Sequence, residues 1–152
     1  MIKSAYLDTS VFGGYFDEEF SVPTVKFFDR IIQDKITIIM SEILVAELQG
    51  APNHVRGLMD IIPESQIQSI DVTTETESLA KMYISENVVG KTSYADCLHI
   101  ALATISHTDI LVSWNFKHIV NVDKIRGYNS VNLKLGYKLI DIYSPFELGK
   151  YE

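Results

Sequence analysis

Residues 93–115 read SYADCLHIALATISHTDILVSWN, and this stretch decides the fold. Positions 94–105 are apolar nearly all round, through Ala95, Cys97, Leu98, Ile100, Ala101, Leu102, Ala103 and Ile105, which predicts a largely buried helix capped by Ser93. Asp109 then leads into positions 110–113, an Ile-Leu-Val run of the kind that forms a short buried strand. A buried helix feeding a buried strand is the unit of a parallel sheet covered on both faces.

The same unit recurs outward in both directions. Positions 2–7 predict a strand ending at Asp8, and Pro23 opens a helix carrying Phe27, Phe28, Ile31 and Ile32 at helical spacing. A β-branched run at 36–40 predicts the next strand, and Ser41 is placed to cap a helix over 42–48. After Gly50, Pro52 begins a further helix through Leu58, Met59, Ile61 and Ile62. Positions 67–72 predict a third strand, after which Thr74 and Glu77 have capping-box spacing before a helix through Leu79, Met82 and Tyr83. Toward the end a helical stretch precedes a last strand at 139–143. The class is α/β, a mostly parallel twisted sheet flanked by helices on both faces, in a single domain over 1–152 with no repeat or linker.

Composition narrows the setting. Hydrophobic residues make up 47% and charged residues 22%, the balance of a folded globular chain. Residues 1–7 are too short for a secretory apolar region, and no apolar run approaches the roughly 18 residues of a membrane span, which places the chain in the cytoplasm with no membrane partner. The single cysteine, Cys97, makes neither an intrachain disulfide nor a cysteine-based zinc site. Net charge is −7, which disfavours a broad nucleic-acid surface, but Lys117, Lys124, Arg126, Lys134 and Lys138 against Asp123 give +4 between positions 117 and 138. These charges read either as a local basic lip or as solvated helix and loop residues.

In doubly wound sheets ligands bind beyond the carboxyl ends of the strands, which directs attention to Asp8 and Asn115. Asp8 closes an apolar strand, with a turn-initiating aspartate as its structural alternative. Ser10 is placed to hydrogen-bond either Asp8 or a phosphate. Asp96 stands in the first turn of a buried helix, where an ionised carboxylate needs a cation or a partner, or simply hydrogen-bonds the free helix N–H groups. Glu47 and Glu42 lie about 140° apart on their helix, so only one of them can serve a given site. Asp8, Glu47, Asp96 and Asn115 are separated by 39, 49 and 19 positions, each at a strand end or on the helix after one.

Taken together, Tyr6-Leu7-Asp8-Thr9-Ser10, Glu47-Leu48, Ala95-Asp96, Leu111-Val112-Ser113-Trp114-Asn115 and the closing Ser144-Pro145-Phe146-Glu147 resemble the PIN-domain nucleases, most closely the prokaryotic VapC-type toxins and their relatives. The resemblance implies a metal-dependent ribonuclease in which Asp8, Glu47 and Asp96 hold Mg²⁺ or Mn²⁺. Asn115 occupies the fourth position, where the family usually carries an aspartate, so a second metal would be held less firmly. A Trp-Asn-x-x-His version of that motif is matched by Trp114, Asn115 and His118. The resemblance further implies an RNA substrate met by Ser10, Ser113, Lys117 and His118, a cognate antitoxin, and a homodimer.

The chemistry agrees with the resemblance. Phosphodiester hydrolysis needs an activated water and charge neutralisation, which divalent cations supply. Oxygen ligands without a cysteine-histidine cluster match Mg²⁺ better than Zn²⁺. Among rival readings, His99, one turn after Asp96, reads first as a hydrogen-bonded core histidine and second as a group facing the site, while His54 and His107 read as surface or capping residues. A catalytically weakened module acting by binding RNA or a protein is the alternative that Asn115 suggests. A phosphotransferase with Asp8 as nucleophile is disfavoured because Ser10 stands where a second aspartate is needed.

Overall fold

The computed structural model describes residues 1–148, so residues 149–152 of the expected domain lie outside the described residues. In chain order the elements are β1 (Ser4–Leu7), α1 (Thr9–Gly14), α2 (Ser21–Gln33), β2 (Thr37–Ser41), α3 (Glu42–Gln49), α4 (Asn53–Arg56), β3 (Ile67–Ile70), α5 (Thr74–Ser85), α6 (Tyr94–Ile105), β4 (Ile110–Val112), α7 (Val122–Lys134), β5 (Asp141–Tyr143) and α8 (Pro145–Leu148). The strands form one sheet in the order β3-β2-β1-β4-β5, and every neighbouring pair is parallel. Among the described residues no helix is long and apolar enough to cross a membrane.

The two-residue period of the strands divides the core. Ala5, Leu7, Ile38, Met40, Ile110 and Val112 meet Phe12, Phe27, Phe28, Ile31 and Leu44 on one face. Tyr6, Ile39 and Leu111 meet Leu79, Tyr83, Ala101 and Tyr128 on the other. Positions 97–104 of α6 are all buried, as their apolar run predicts. The helices therefore cover both faces, and the α/β expectation holds, with a sheet parallel throughout.

Local departures have identifiable causes. The segment after Asp8 is not a turn but the short helix α1, which buries Val11 and Phe12. The helix expected from Pro52 onward breaks at Gly57 into α4 and a 3₁₀ turn over Gly57–Ile61. The capping box at α5 is Thr73 with Thr76, one residue earlier than the Thr74–Glu77 spacing suggests. Thr76 N–H donates to the Thr73 hydroxyl at 3.2 Å, and Thr73 N–H donates to the Thr76 hydroxyl at 2.8 Å. Ser41 caps α3 as expected, accepting from Leu44 N–H at 3.2 Å. Ser93 makes no side-chain cap, because a 3₁₀ turn over Lys91–Ser93 gives it a non-extended backbone (φ −97°, ψ 19°).

One close approach is testable. A Cβ at Gly127 on α7 would lie 2.7 Å from Val88 Cγ1. Gly127→Ala is expected to cost about 1–3 kcal/mol by overpacking. Urea denaturation should show that loss, with most of it recovered when Val88→Ala is added.

From β1 the chain builds outward through β2 to β3, then crosses to β4 and β5 on the other side of β1. The winding reverses between β1 and β4, and such a reversal opens a crevice at the carboxyl ends of those two strands. Asp8 and Ser113 are the first residues beyond them.

Candidate active site

Leu7 pairs with Val112 in the sheet, and Asp8 N–H continues the ladder to Val112 O at 3.1 Å. Asp8 is thereby held beside Ser113, and it is 5% exposed. Its carboxylate is gripped from both sides: Ser10 Oγ donates to Oδ1 at 2.5 Å and Ser113 Oγ donates to Oδ2 at 3.0 Å. Each serine oxygen accepts a backbone N–H in turn, from Trp114 to Ser10 and from Asn115 to Ser113, both at 2.9 Å. A hydroxyl has one proton, and here both protons are directed at Asp8. Ser10 thus makes the Asp8 bond that was one of its two expected roles, and Ser113, expected as a substrate contact, shares in orienting the aspartate.

Burial is the strongest influence on Asp8 and pushes its carboxyl above the ordinary range, against the pull of Ser10, His99 and Ser113; the charge of Asp96 pushes it up further. Asp96 is half-buried, and burial raises its carboxyl as well, opposed by His118, His99 and a hydrogen bond from Asn115, with Glu47 adding to the rise. The desolvation argument made for Asp96 thus falls mainly on Asp8. Among the described residues Asp96 accepts no backbone N–H, so the helix-capping alternative is not realised.

Glu47, on α3, is also half-buried. Burial pushes its carboxyl up, but His99 and Thr9 outweigh that and hold it below the usual range. Thr9 Oγ1 donates to Glu47 Oε1 at 2.5 Å, and His99 Nε2 lies 2.7 Å from the same oxygen. Glu42 is turned away and accepts Val72 N–H at 2.7 Å, as the helical angle requires. His99 is both things the sequence suggested, a buried hydrogen-bonded histidine and a neighbour of the site. Thr9 was not anticipated, and its only signal is its place directly after Asp8.

Asn115, expected at the fourth acidic position, has its oxygen engaged within its own loop. Its Oδ1 accepts His118 N–H at 2.9 Å. A backbone N–H can only donate, so the oxygen faces it and the amide nitrogen is left to hydrogen-bond Asp96. His118 is half-buried with Nδ1 shielded and without a hydrogen-bond partner, and Lys117 is exposed. His54 and His107 lie on the surface, and His107 takes the left-handed conformation (φ 57°) that closes α6. The basic residues do not share one face: Lys124 Nζ donates to Val88 O at 2.8 Å, Lys134 pairs with Glu86 at 2.9 Å, and Lys138 lines a cavity at the opposite end of the sheet. That cavity, of about 750 Å³, contains none of Asp8, Glu47 and Asp96.

Asp8, Asp96 and Glu47 therefore lie near enough at the switch point for Asp96 to act on Asp8 and Glu47 on Asp96, and among the described residues none is paired with lysine or arginine. Neighbouring carboxylates with no lysine or arginine partner suit a divalent cation. The donor set is oxygen. Among the described residues no group of three His, Cys, Asp or Glu side chains is placed to hold an ion by itself.

No curated protein matches the chain. Among solved structures, VapBC2 from Rickettsia felis, bound to a DNA fragment from its promoter, is 15% identical with a TM-score of 0.54, the match covering 93% of this chain and 98% of that one. VapC20 from Mycobacterium tuberculosis, a sarcin–ricin loop cleaving toxin, is 13% identical with a TM-score of 0.54, covering 74% and 91%. FitAcB from Neisseria gonorrhoeae is 15% identical with a TM-score of 0.55, covering 93% and 98%. At these identities the likeness is one of fold. A family model described as the PIN domain matches residues 5–124, from β1 into α7 and so across all the residues gathered at this crevice, and the chain belongs to the PIN domain family.

Proposed function

We propose that the chain is a metal-dependent endoribonuclease, a single-domain hydrolase acting on RNA phosphodiesters in the cytoplasm as the toxin of a toxin–antitoxin pair. The observation that carries this reading is the cluster of Asp8, Asp96 and Glu47 at the switch point, where burial raises Asp8 and Asp96, the charge of Asp96 adds to the rise at Asp8 and that of Glu47 to the rise at Asp96, and no lysine or arginine pairs with them. Membership of the PIN family supports a nuclease. The sarcin–ricin loop cleaving toxin among the structural relatives supports RNA as the substrate, and the VapBC and Fit complexes support a cognate antitoxin; a homodimer belongs to the same proposal.

Asp8 and Asp96 are the residues that would hold Mg²⁺ or Mn²⁺. Bound there, such an ion would neutralise charge on the phosphate and lower the pKa of a bound water. Ser10 and Ser113 keep the Asp8 carboxylate in one orientation, and Asn115 does the same for Asp96 through its amide nitrogen. Glu47 Oε1 is occupied by Thr9 and His99, which leaves Oε2 to accept a proton from an attacking water. Exposed Lys117 is placed to meet a phosphate beside the crevice, with His118 next to it.

The test is cleavage of a panel of single-stranded and structured RNAs by the purified chain, with Mg²⁺, with Mn²⁺ and with chelator. Cleavage should require added metal and fall to background in chelator. RNA retained on the protein without cleavage in any metal would favour the binding-module alternative instead.

A further inference from the structure

We propose that His99 is a positioning residue that aims Glu47, and that its own orientation is set by a buried chain of hydroxyls running through Tyr6 and Ser41. The proposal rests on the nuclease reading above and adds to it a residue and a task.

Four contacts line up without a gap. Leu44 N–H donates to Ser41 Oγ at 3.2 Å, Ser41 Oγ lies 2.7 Å from Tyr6 Oη, Tyr6 Oη lies 2.6 Å from His99 Nδ1, and His99 Nε2 lies 2.7 Å from Glu47 Oε1. Ser41, Tyr6 and His99 are 0%, 0% and 3% exposed, so water cannot substitute for a missing partner. The first link has a fixed direction, because a backbone N–H only donates. Ser41 therefore accepts at that link, and its own proton is free to go to Tyr6. Tyr6 then donates to His99 Nδ1, and the ring proton sits on Nε2 and points at Glu47. This is the arrangement in which every buried donor has an acceptor.

The fold explains why these residues meet. Tyr6 on β1 and Asp8, the extended residue just beyond the strand, are two apart and so project to the same side. Asp96 and His99 are three apart on α6 and share a face of that helix. One strand and one helix thus each contribute one carboxylate and one member of the chain. Glu47 comes from a third element, α3, whose N-cap is the same Ser41 that begins the relay.

The consequence lies in which oxygen is taken. Thr9 and His99 both bind Oε1, and among the described residues Oε2 has no protein partner. A half-exposed glutamate has several rotamers, and ordering such a side chain costs rotamer freedom. Two donors on one oxygen, one of them on a buried ring that cannot move, hold the carboxylate so that the other oxygen is presented to solvent or an ion.

The experiment compares His99→Leu, which removes the donor, with His99→Gln, whose amide nitrogen can stand where Nε2 stands. Both are assayed on the cleaved RNA with thermal melts as the check on folding. His99→Leu is expected to lower kcat by about 10–100-fold with KM changed much less, the scale typical of lost second-layer partners. His99→Gln should recover most of that loss. Glu47→Gln added to His99→Leu should cost little more than Glu47→Gln alone, because the two act through one carboxylate. A readout independent of turnover is the ¹⁵N spectrum of His99 in metal-free protein, which should show the proton on Nε2 and lose that preference in Tyr6→Phe.

Native kcat in a folded His99→Leu protein would overturn the proposal, as would fully additive losses with Glu47→Gln, absent rescue by His99→Gln, or a ring proton on Nδ1. A native chain that cleaves no RNA in any metal would remove the nuclease reading and this one with it. An active native chain with an indifferent His99→Leu variant would remove this one alone.

Discussion

Asp8→Asn gives a folded protein that cleaves RNA at least about 10³-fold more slowly than the native chain, equivalent to about 4 kcal/mol of activation barrier, and that melts no lower at neutral pH. The two halves of this result have one cause. Asp8 is 5% exposed, and burial holds its carboxyl above the ordinary range. Below about pH 4 the folded and unfolded chains both carry it protonated, and it costs nothing. As pH rises the unfolded chain ionises first, so folding stability is lost progressively until the folded-state carboxyl ionises too, and the loss persists above that. The amide removes this penalty together with the charge that would hold a cation. Melting temperatures of the native and Asp8→Asn proteins should therefore converge in acid and separate toward neutrality, with the variant higher. Asp96→Asn should lose activity similarly but gain less stability, since Asp96 is half-buried. Undiminished cleavage in either variant would sink the assignment of that carboxylate.

Phe28→Ala should unfold far more easily, losing about 3–5 kcal/mol from a total that is about 5–15 kcal/mol for domains of this kind. Phe28 is fully buried on α2, and its ring stands edge-on to Phe12 at 5.8 Å and to Tyr15 at 5.4 Å between ring centres. Phe12 lies on α1, the helix whose first two residues are Thr9 and Ser10. Removing the ring thus loosens both the core and the helix that carries two of the donors around Asp8 and Glu47. Urea denaturation measures the loss directly. A change under about 1 kcal/mol would mean that the surrounding aromatic side chains close the cavity, against the packing described here.

Elements were readable where a local rule governs them. The apolar run of α6, the apolar strands β1 and β4, the β-branched run of β2, and the Ser41 cap all follow from periodicity and hydrogen-bonding needs that act within a few residues. The misplacements have the same character in reverse. Thr73 and Thr74 are both threonines before a helix, and only the path of the chain leaving β3 selects the first as cap. Helix α1 was missed because its six residues are few for a periodic signal, and it forms by burying Val11 and Phe12 against α2 and the sheet.

The candidate site divides along the same line. Asp8, Glu47, Asp96 and Asn115 stand out in the sequence because strand ends and the helices after them converge in any doubly wound sheet, and the family resemblance rests on those residues. His99 could be joined to Asp96 by one helical turn, but its link to Glu47, and the places of Thr9, Tyr6 and Ser41, could not be read in that way. Their relation spans up to 93 positions and depends on hydroxyl and imidazole groups meeting within 2.7 Å, which no spacing rule encodes. The sequence by itself determined the layering, the strand ends and the acidic residue types, because each is a property of a few neighbouring residues. Tertiary structure alone decided that Ser10 and Ser113 turn their protons to Asp8, that Asn115 faces Asp96 with its nitrogen, and that His99 grips one oxygen of Glu47. The direction of a hydrogen bond is set by what lies at its other end, and here those ends come from different elements of the fold.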